Sequence, residues 1–249
     1  MFRFLIGRLL QGLLVLFALY TITFFLAKAM PGEPFTSEKN VSAETKSNIR
    51  KLYGLDKPIW EQYLIYPKNI ITEGSFGTST SKGRAVGDII AQSFPNSLLL
   101  GLCALGFAVG IGVPIGVLSA VRRNTWVDWS CMAIAMVGIC VPSFTIGPLL
   151  QIYFAAHVPG LKVAGWGSPQ DVLLPAFTLG LVSAAYLARL TRGGILEVLS
   201  QDFVRTARAK GLSPSKVIIK HSLRGGLIPA VAYLGPAFAA LISGSFIVE

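Results

Sequence analysis

Charged residues are scarce in this sequence. Only 14% of the 249 residues are Asp, Glu, Lys or Arg, and 53% are hydrophobic, whereas charged residues make up about 25% of a typical soluble domain. This composition argues against a water-soluble globular domain. The distribution of the hydrophobic residues is therefore the main source of structural information.

Residues that build metal, disulfide and nucleotide sites are also scarce. Cys103, Cys131 and Cys140 are scattered in or beside apolar stretches, and their odd number predicts neither a disulfide framework nor a metal site. His157 and His221 are far apart, and the HExxH pattern is absent. No Gly-Lys dipeptide occurs, which excludes the phosphate-binding loop GxxxxGK(S/T). We expect no catalytic, metal or cofactor site in this chain.

Long uncharged stretches, by contrast, are frequent. A helix that crosses the bilayer core needs about 20 consecutive apolar residues, and its backbone polar groups are paired within the helix. Five stretches meet this requirement: residues 9–27, 98–121, 132–156, 172–188 and 227–248. We predict an all-α integral membrane protein, a polytopic helical bundle with five visible spans.

The first stretch has an alternative interpretation. Arg3 and Arg8 precede it, which is also the layout of a secretory signal peptide. However, the stretch is longer than the apolar part of a typical signal peptide, and Lys28-Ala29-Met30-Pro31 is a poor cleavage site. We therefore expect a permanent membrane anchor.

The distribution of Lys and Arg predicts the orientation of the spans. Residues 189–224 contain eight Lys or Arg and only two acidic residues, whereas residues 29–94 contain eight basic and seven acidic residues. By the positive-inside rule, the N-terminus and residues 189–224 are cytoplasmic. The asymmetry also accounts for the net charge of +10, so we expect membrane lipid and no nucleic acid as a partner.

This topology divides the chain into three regions. Residues 1–29 form a short tail and the first span, residues 30–96 a small extracytoplasmic cap, and residues 97–249 a transmembrane core that includes the cytoplasmic loop 189–226. In the cap, residues 43–53 and 59–71 are predicted to be helical, and Gly74-Ser75-Phe76-Gly77 to form a turn. A spacer without a fold of its own is the alternative.

Prolines and glycines mark special positions within the spans. Four prolines each remove a helix hydrogen bond and are expected at kinks or breaks: Pro114, Pro142, Pro148 and Pro236. Two GxxxG pairs are expected to let helices approach closely: Gly106 with Gly110, and Gly112 with Gly116. Kinked, closely packed helices suit a pathway that opens and closes.

The cytoplasmic loop has the most specific local pattern. Asp202 is predicted to begin a short helix that runs through Lys210, and Gly211 to end it in a left-handed conformation. Ser213 and Pro214 then begin a second helix. Basic residues at a spacing of four fall on one face of the second helix: Lys216, Lys220 and Arg224.

The two predicted helices offer a contact surface. Phe203 and Ala207 are predicted to seat one face against a partner protein, while the basic residues meet phosphates or acidic side chains. The alternative is a juxtamembrane charge cluster, which would not require a glycine turn.

Segments along the whole chain resemble one known protein family. The similar segments outside the cytoplasmic loop are Pro31-Gly32-Glu33-Pro34-Phe35, Leu52-Tyr53-Gly54-Leu55-Asp56-Lys57-Pro58 and Phe76-Gly77. In the loop, Arg205-Thr206-Ala207-Arg208-Ala209-Lys210-Gly211-Leu212 is similar to the EAA loop that couples a permease to its ATPase. The family is the permease subunits of dipeptide and oligopeptide ABC importers. Phe35-Thr36 and Pro142-Ser143-Phe144 look most similar to the first membrane subunit of oligopeptide permeases.

The chain departs from the broad family pattern at a few positions. Arg205-Thr206 replaces Glu-Ala and Arg224 replaces Pro, as in the peptide-permease branch, and Ser75 stands where many relatives have Asp. The family has six spans with both termini cytoplasmic. Five are visible before Glu249, so the resemblance implies a sixth.

The resemblance implies an ATP-driven importer in the bacterial inner membrane. This chain would form half of the translocation pathway for peptides, as a heterodimer with a second permease subunit. Two partner ATPase subunits would bind ATP and Mg, and an extracytoplasmic binding protein would deliver the peptide. The implied ATPase-coupling residues are Phe203, Arg205, Thr206, Ala207, Arg208, Ala209, Lys210, Gly211 and Leu212.

Two other functions were weighed against this interpretation. A proton-coupled secondary carrier, or a channel, is disfavoured because no acidic residue is predicted inside a span. A membrane-embedded hydrolase needs a nucleophile and a base at matching depth, and neither histidine is suitably placed. The sequence pattern identifies neither the pathway-lining residues nor the substrate, whether peptide of a given length, nickel, opine or glutathione.

Overall fold

The computed structural model describes residues 1–30, 54–79, 82–158 and 165–243. They belong to two compact units, Met1–Gln92 and Ser93–Glu249. The predicted helix 43–53 and the family-like segment 31–36 lie outside the described residues.

In the first unit, the structure describes the helices α1 (Phe2–Ala29) and α2 (Ile59–Glu73). Aromatic rings hold them together: the Tyr63 ring centroid of α2 lies 5.0 Å from that of Tyr20 and 5.3 Å from that of Phe24. The Lys28 ammonium also donates a hydrogen bond to the Gln62 amide oxygen. The predicted helix 59–71 is thus confirmed, and it continues to Glu73, where Gly74, the first residue of the predicted turn, ends it with a φ of +62°.

The remaining helices follow in chain order. A helix of 36 residues, α3, begins in the first unit and continues into the second. The helices are α3 (Val86–Val121), α4 (Trp126–Cys140), α5 (Ser143–His157), α6 (Leu173–Leu199), α7 (Asp202–Ala209), α8 (Pro214–Gly226) and α9 (Ile228–Ile242). A single 3₁₀ turn, Pro169–Val172, leads into α6.

Three helices of the described residues are long and apolar enough to cross a membrane: Phe2–Ala29, Val86–Val121 and Pro169–Leu199. Two further candidates are bent pairs. Trp126–Cys140 and Ser143–Phe154 meet at 103°, and Pro214–Gly226 and Ile228–Ile242 meet at 48°. Counting each bent pair as one span gives up to five candidates, the number that the sequence predicts, although the fifth includes α8, which the sequence assigns to the cytoplasmic loop.

The predicted span 132–156 is broken at Pro142, one of the four prolines expected at kinks or breaks. It breaks at Val141, whose φ of −85° and ψ of 122° are extended, because the residue before a proline is driven out of the helical region and Pro142 follows it. Helices continue through the other three prolines, Pro114, Pro148 and Pro236. A packed bundle tolerates the single backbone carbonyl that each of these prolines leaves without its donor.

Helix α6 lies at the centre of the second unit and packs closely against α3. A methyl group at Gly116 would lie 2.5 Å from the Ala188 carbonyl oxygen, and one at Gly180 would lie 2.5 Å from the Ala104 carbonyl oxygen. Close packing is thereby confirmed for the second GxxxG pair. For Gly106 and Gly110 no described atom lies within 4 Å of a methyl group built there, so their role in close packing stays a prediction.

Candidate functional site

Helix α7 ends in a Schellman motif at Gly211. The Gly211 amide donates to the Arg208 carbonyl at 2.9 Å, and the Leu212 amide donates to the Ala207 carbonyl at 3.4 Å. Gly211 has a φ of +79°, a left-handed value that costs a β-carbon-bearing residue free energy. The predicted left-handed stop is confirmed, and it fixes the direction in which the chain leaves α7.

A small hydrophobic cluster anchors α7. Val204 and Ala207, three residues apart on one helix face, pack with Val217 of α8, and the three are 0%, 5% and 1% exposed. The predicted seating of Ala207 against a partner is therefore wrong, because its side chain is buried within this chain. The Phe203 side chain is 52% exposed, so it remains available for contact with a partner protein.

The opposite face of α7 and the outer face of α8 are basic and exposed. The exposed cations are Arg205, Arg208, Lys210, Lys216, Lys220 and Arg224. One ion pair joins Arg205 to Asp202 at 3.4 Å, with side chains 74% and 94% exposed, so it contributes little to stability. We call Phe203 together with these six cations the basic surface.

Helix α8 has a form that the sequence did not predict. Pro214 occupies its first turn as expected, but the Ser213 side chain makes no capping hydrogen bond. Residues Val217–Ser222 are π-helical, and the Ser222 hydroxyl donates to the Val217 carbonyl at 3.2 Å. The wider turn buries Val217 and Ser222, five residues apart, and leaves the basic residues exposed.

A second polar cluster lies where α3, α4 and α6 meet. Asp128, in the first turn of α4, accepts two hydrogen bonds from the Arg192 guanidinium of α6, at 2.7 and 2.8 Å. The Ser119 hydroxyl and the Asn124 amide also donate to its carboxylate, the latter at 2.9 Å. The Asp128 side chain is 5% exposed and that of Arg192 is 29% exposed. We call these four residues the carboxylate clamp.

The clamp was not predicted from the sequence. Arg192 belongs to the basic residues that flank a predicted span, and Asp128 lies before the predicted span 132–156, in the first turn of α4. The available signal was Asp128 itself, an acid between Trp126, Val127 and Trp129. A charged residue in such an apolar setting requires a partner.

Comparison with known proteins identifies the family. Residues 112–249 match the family described as binding-protein-dependent transport system inner membrane component, and residues 1–101 match its N-terminal component. The chain belongs to this family. Both the clamp and the two helices of the basic surface lie in the region of the first match.

Characterised relatives are similar over the whole chain. The oligopeptide transport system permease protein OppB of Haemophilus influenzae is 42% identical over 100% of this chain and 82% of its own length. OppB of Escherichia coli K12 has the same identity and coverage, and the dipeptide transport system permease protein DppB of Bacillus subtilis is 40% identical over 100% of this chain and 81% of its own.

The fold is shared with a solved transporter. A chain of the MetNI methionine ABC transporter, crystallised in inward-facing conformations, aligns with a TM-score of 0.54 and 20% identity, over 64% of this chain and 72% of its own. At this identity the likeness concerns the fold. The all-α membrane bundle predicted from the sequence is thus the fold of an ABC transporter permease.

All nine implied coupling residues of this permease lie in one local motif. Seven are exposed, Ala207 is buried in the hydrophobic cluster that anchors α7, and Leu212 is partly buried beside that cluster. The Thr206 hydroxyl donates to the Asp202 carbonyl at 3.0 Å within α7. Their coupling role stays a prediction.

Proposed function

We propose that this permease forms half of the peptide pathway of an ATP-driven importer. The observation that carries the proposal is its similarity, over the whole chain, to oligopeptide and dipeptide permeases of three bacteria. The second half of the pathway comes from another permease subunit, and a binding protein outside the inner membrane delivers the peptide.

Energy comes from two partner ATPase subunits that hold ATP and Mg. The chain itself has no Gly-Lys dipeptide from which a phosphate-binding loop could be built. Asp128 does not favour a proton-driven carrier, because its carboxylate is engaged by Arg192, Ser119 and Asn124. Neither the basic surface nor the carboxylate clamp therefore favours transport without partner subunits.

The basic surface is the proposed ATPase contact. Phe203 supplies an exposed aromatic side chain, and the six exposed cations of α7, α8 and the turn between them suit a partner surface with acidic side chains. Val204 and Ala207 pack α7 against α8, and α8 leads into α9. ATP binding biases the permease only if the ATPases contact its two states differently, and α7 is positioned to make that contact.

The proposed orientation is testable by labelling. We expect Glu73→Cys to react with an impermeant thiol reagent added outside cells, and Arg123→Cys and Arg208→Cys to react only after the membrane is opened. All three positions are exposed in this chain, and position 123, which lies outside the basic surface, reports on sidedness where the ATPases cover position 208. The background lacks Cys103, Cys131 and Cys140. Labelling of position 208 but not 73 from outside would reverse the orientation.

The proposed dependence on partners is testable by purification. An affinity-tagged chain from its native membrane should copurify with a second permease and two ATPase subunits, and uptake of radiolabelled peptide should need ATP. The chain purified alone, reconstituted in vesicles, is the matched sample. Peptide uptake by that sample without ATP would overturn the proposal.

A further inference from the structure

A short turn between α3 and α4 lies at a membrane interface. The candidate span of α3 ends at Val121, and the next candidate span begins at Trp126. Arg122 and Arg123 follow Val121 directly, and both are exposed. Cations that close an apolar span lie at the level of the lipid headgroups. Residues 122–125 therefore lie where the hydrocarbon of the bilayer ends.

The carboxylate clamp holds this turn in one conformation. Asn124 adopts a left-handed φ of +60°, and its amide donates to the Asp128 carboxylate at 2.9 Å. The Thr125 amide and hydroxyl donate to the Arg122 carbonyl at 3.1 and 2.5 Å. Among the described residues, none forms a hydrogen bond or ion pair with the Arg122 or Arg123 guanidinium. The turn thus exposes two cations that have no ion-pair partner in the described part of the chain.

Asp128, the acid closest to these arginines in sequence, does not oppose an anionic ligand. Its side chain is 5% exposed, and it accepts hydrogen bonds from the Arg192 guanidinium at 2.7 and 2.8 Å. The charge of Asp128 is therefore compensated within the protein. No other acidic residue occurs in the sequence between positions 89 and 170.

The exposed face of α4 changes in character along the helix. Its first turn carries two tryptophans, Trp126 and Trp129, which are 78% and 72% exposed. Ala133 and Val137 continue this face at spacings of four, and Val137 is 60% exposed. The helix rises about 16 Å from Trp126 to Val137, which is about the depth of the hydrocarbon of one leaflet. Cations, indoles and aliphatic side chains thus follow one another from the turn into the membrane.

We propose that Arg122, Arg123, Trp126 and Trp129 form a site for an anionic phospholipid, whose acyl chains lie along the α4 face that continues to Val137. The order of the chemistry matches such a lipid: guanidinium groups bind the phosphate, indole rings lie at the interface, and aliphatic side chains contact hydrocarbon. Two unpaired arginines favour a headgroup with a net negative charge, such as phosphatidylglycerol, over a zwitterionic one. An acidic soluble protein would suit the arginines but not the apolar face.

Photocrosslinking tests the site. The chain, with the subunits that copurify with it, is reconstituted in phosphatidylcholine vesicles with a trace of photoreactive phosphatidylglycerol or photoreactive phosphatidylcholine. Crosslinks in residues 126–137 are mapped by mass spectrometry. Each arginine near the headgroup favours the anionic lipid about fivefold, so we expect a yield at least about fivefold higher with phosphatidylglycerol. Arg122→Gln with Arg123→Gln should lower the ratio of the two yields to about one.

Two matched variants show whether the charge at this turn is the cause. Arg3→Gln with Arg8→Gln removes the same charge from two exposed arginines of α1 and should leave the ratio unchanged. Arg122→Lys with Arg123→Lys keeps both charges and should retain most of the preference for phosphatidylglycerol.

Three outcomes would overturn the proposal. The first is an equal yield of the two lipids in the unmodified protein. The second is a loss of preference that is as large in the lysine variant, or in the Arg3 and Arg8 variant, as in the glutamine variant at positions 122 and 123. The third is crosslinking in the isolated chain but not in the complex, because a partner subunit would then cover this face. Crosslinking does not involve uptake, so none of these outcomes bears on the importer proposal.

Discussion

Asp128→Asn is expected to lower the free energy of unfolding by about 3–5 kcal/mol, the usual cost of removing one partner from a buried ion pair. The variant keeps the shape of the side chain but removes the charge that faces the Arg192 guanidinium at 2.7 and 2.8 Å. Arg192 then remains partly buried without a counter-charge. Unfolding of the purified protein in detergent, followed by helix content, measures the loss.

Two comparisons isolate the pair itself. Asp202→Asn breaks the exposed ion pair with Arg205 and should leave stability unchanged within measurement. The double variant Asp128→Asn with Arg192→Gln removes both charges and should be more stable than Asp128→Asn alone. Equal stability of the single and double variants would show that Asp128 stabilises the fold without Arg192.

An exchanged pair is expected not to restore stability. In Asp128→Arg with Arg192→Asp, the Ser119 hydroxyl and the Asn124 amide would still point at position 128. Both donate hydrogen bonds, and an arginine there has no acceptor to offer them. The clamp is thus specific for a carboxylate on α4.

The sequence predicted most helices because apolar periodicity and end signals are local. Gly211 ends α7 as predicted, since glycine adopts left-handed φ values at little cost. Residues 172–188 were recognised as a span, but α6 continues to Leu199. The charges of Arg189 and Arg192 ended the apolar stretch in the sequence, although Arg192 is paired with Asp128 inside the protein and Arg189 is exposed on the helix.

Features that depend on tertiary contacts were not predictable. Asp128 and Arg192 are 64 residues apart in sequence, and no local pattern signals their pairing. Phe203 and Ala207 fall near one face of α7, but the buried face is centred between Val204 and Ala207, which leaves Phe203 outside. The sequence predicted the position of the break at Pro142 but not its angle. Its angle of 103° depends on how the two helices pack.

The π-helical turn of α8 shows the same limit. A spacing of four between Lys216, Lys220 and Arg224 predicted one face of a regular helix. The buried residues, Val217 and Ser222, are instead five apart, as a π-helical turn requires. The π-helical turn places Val217 against Val204 and Ala207 of α7. Only the folded structure reveals this contact.

Gly211→Val is expected to uncouple ATP hydrolysis from transport while leaving the protein in the membrane. No described atom lies within 4 Å of a methyl group at Gly211, so the substitution introduces no clash with a neighbouring side chain. Its effect is confined to the backbone, where a φ of +79° costs a non-glycine residue about 1–2 kcal/mol and a β-branched one more.

That strain is relieved most simply by opening the Schellman motif. The hydrogen bonds from Gly211 to Arg208 and from Leu212 to Ala207 are then lost, and α7 changes its direction relative to α8. A free-energy change of this size corresponds to about a 5–30-fold change in an equilibrium. We expect a loss of that order in ATPase affinity or in peptide uptake per ATP hydrolysed.

Gly211→Asn is the matched control, because asparagine tolerates the left-handed region far better than valine. It should retain most uptake, although both variants add a side chain at the same exposed position. Reconstituted complexes are compared for bound ATPase, peptide-stimulated hydrolysis and uptake. If valine matches the wild type in all three, the turn has no coupling role. If valine and asparagine fail equally, the added side chain obstructs the ATPase contact, and the left-handed backbone is not the cause.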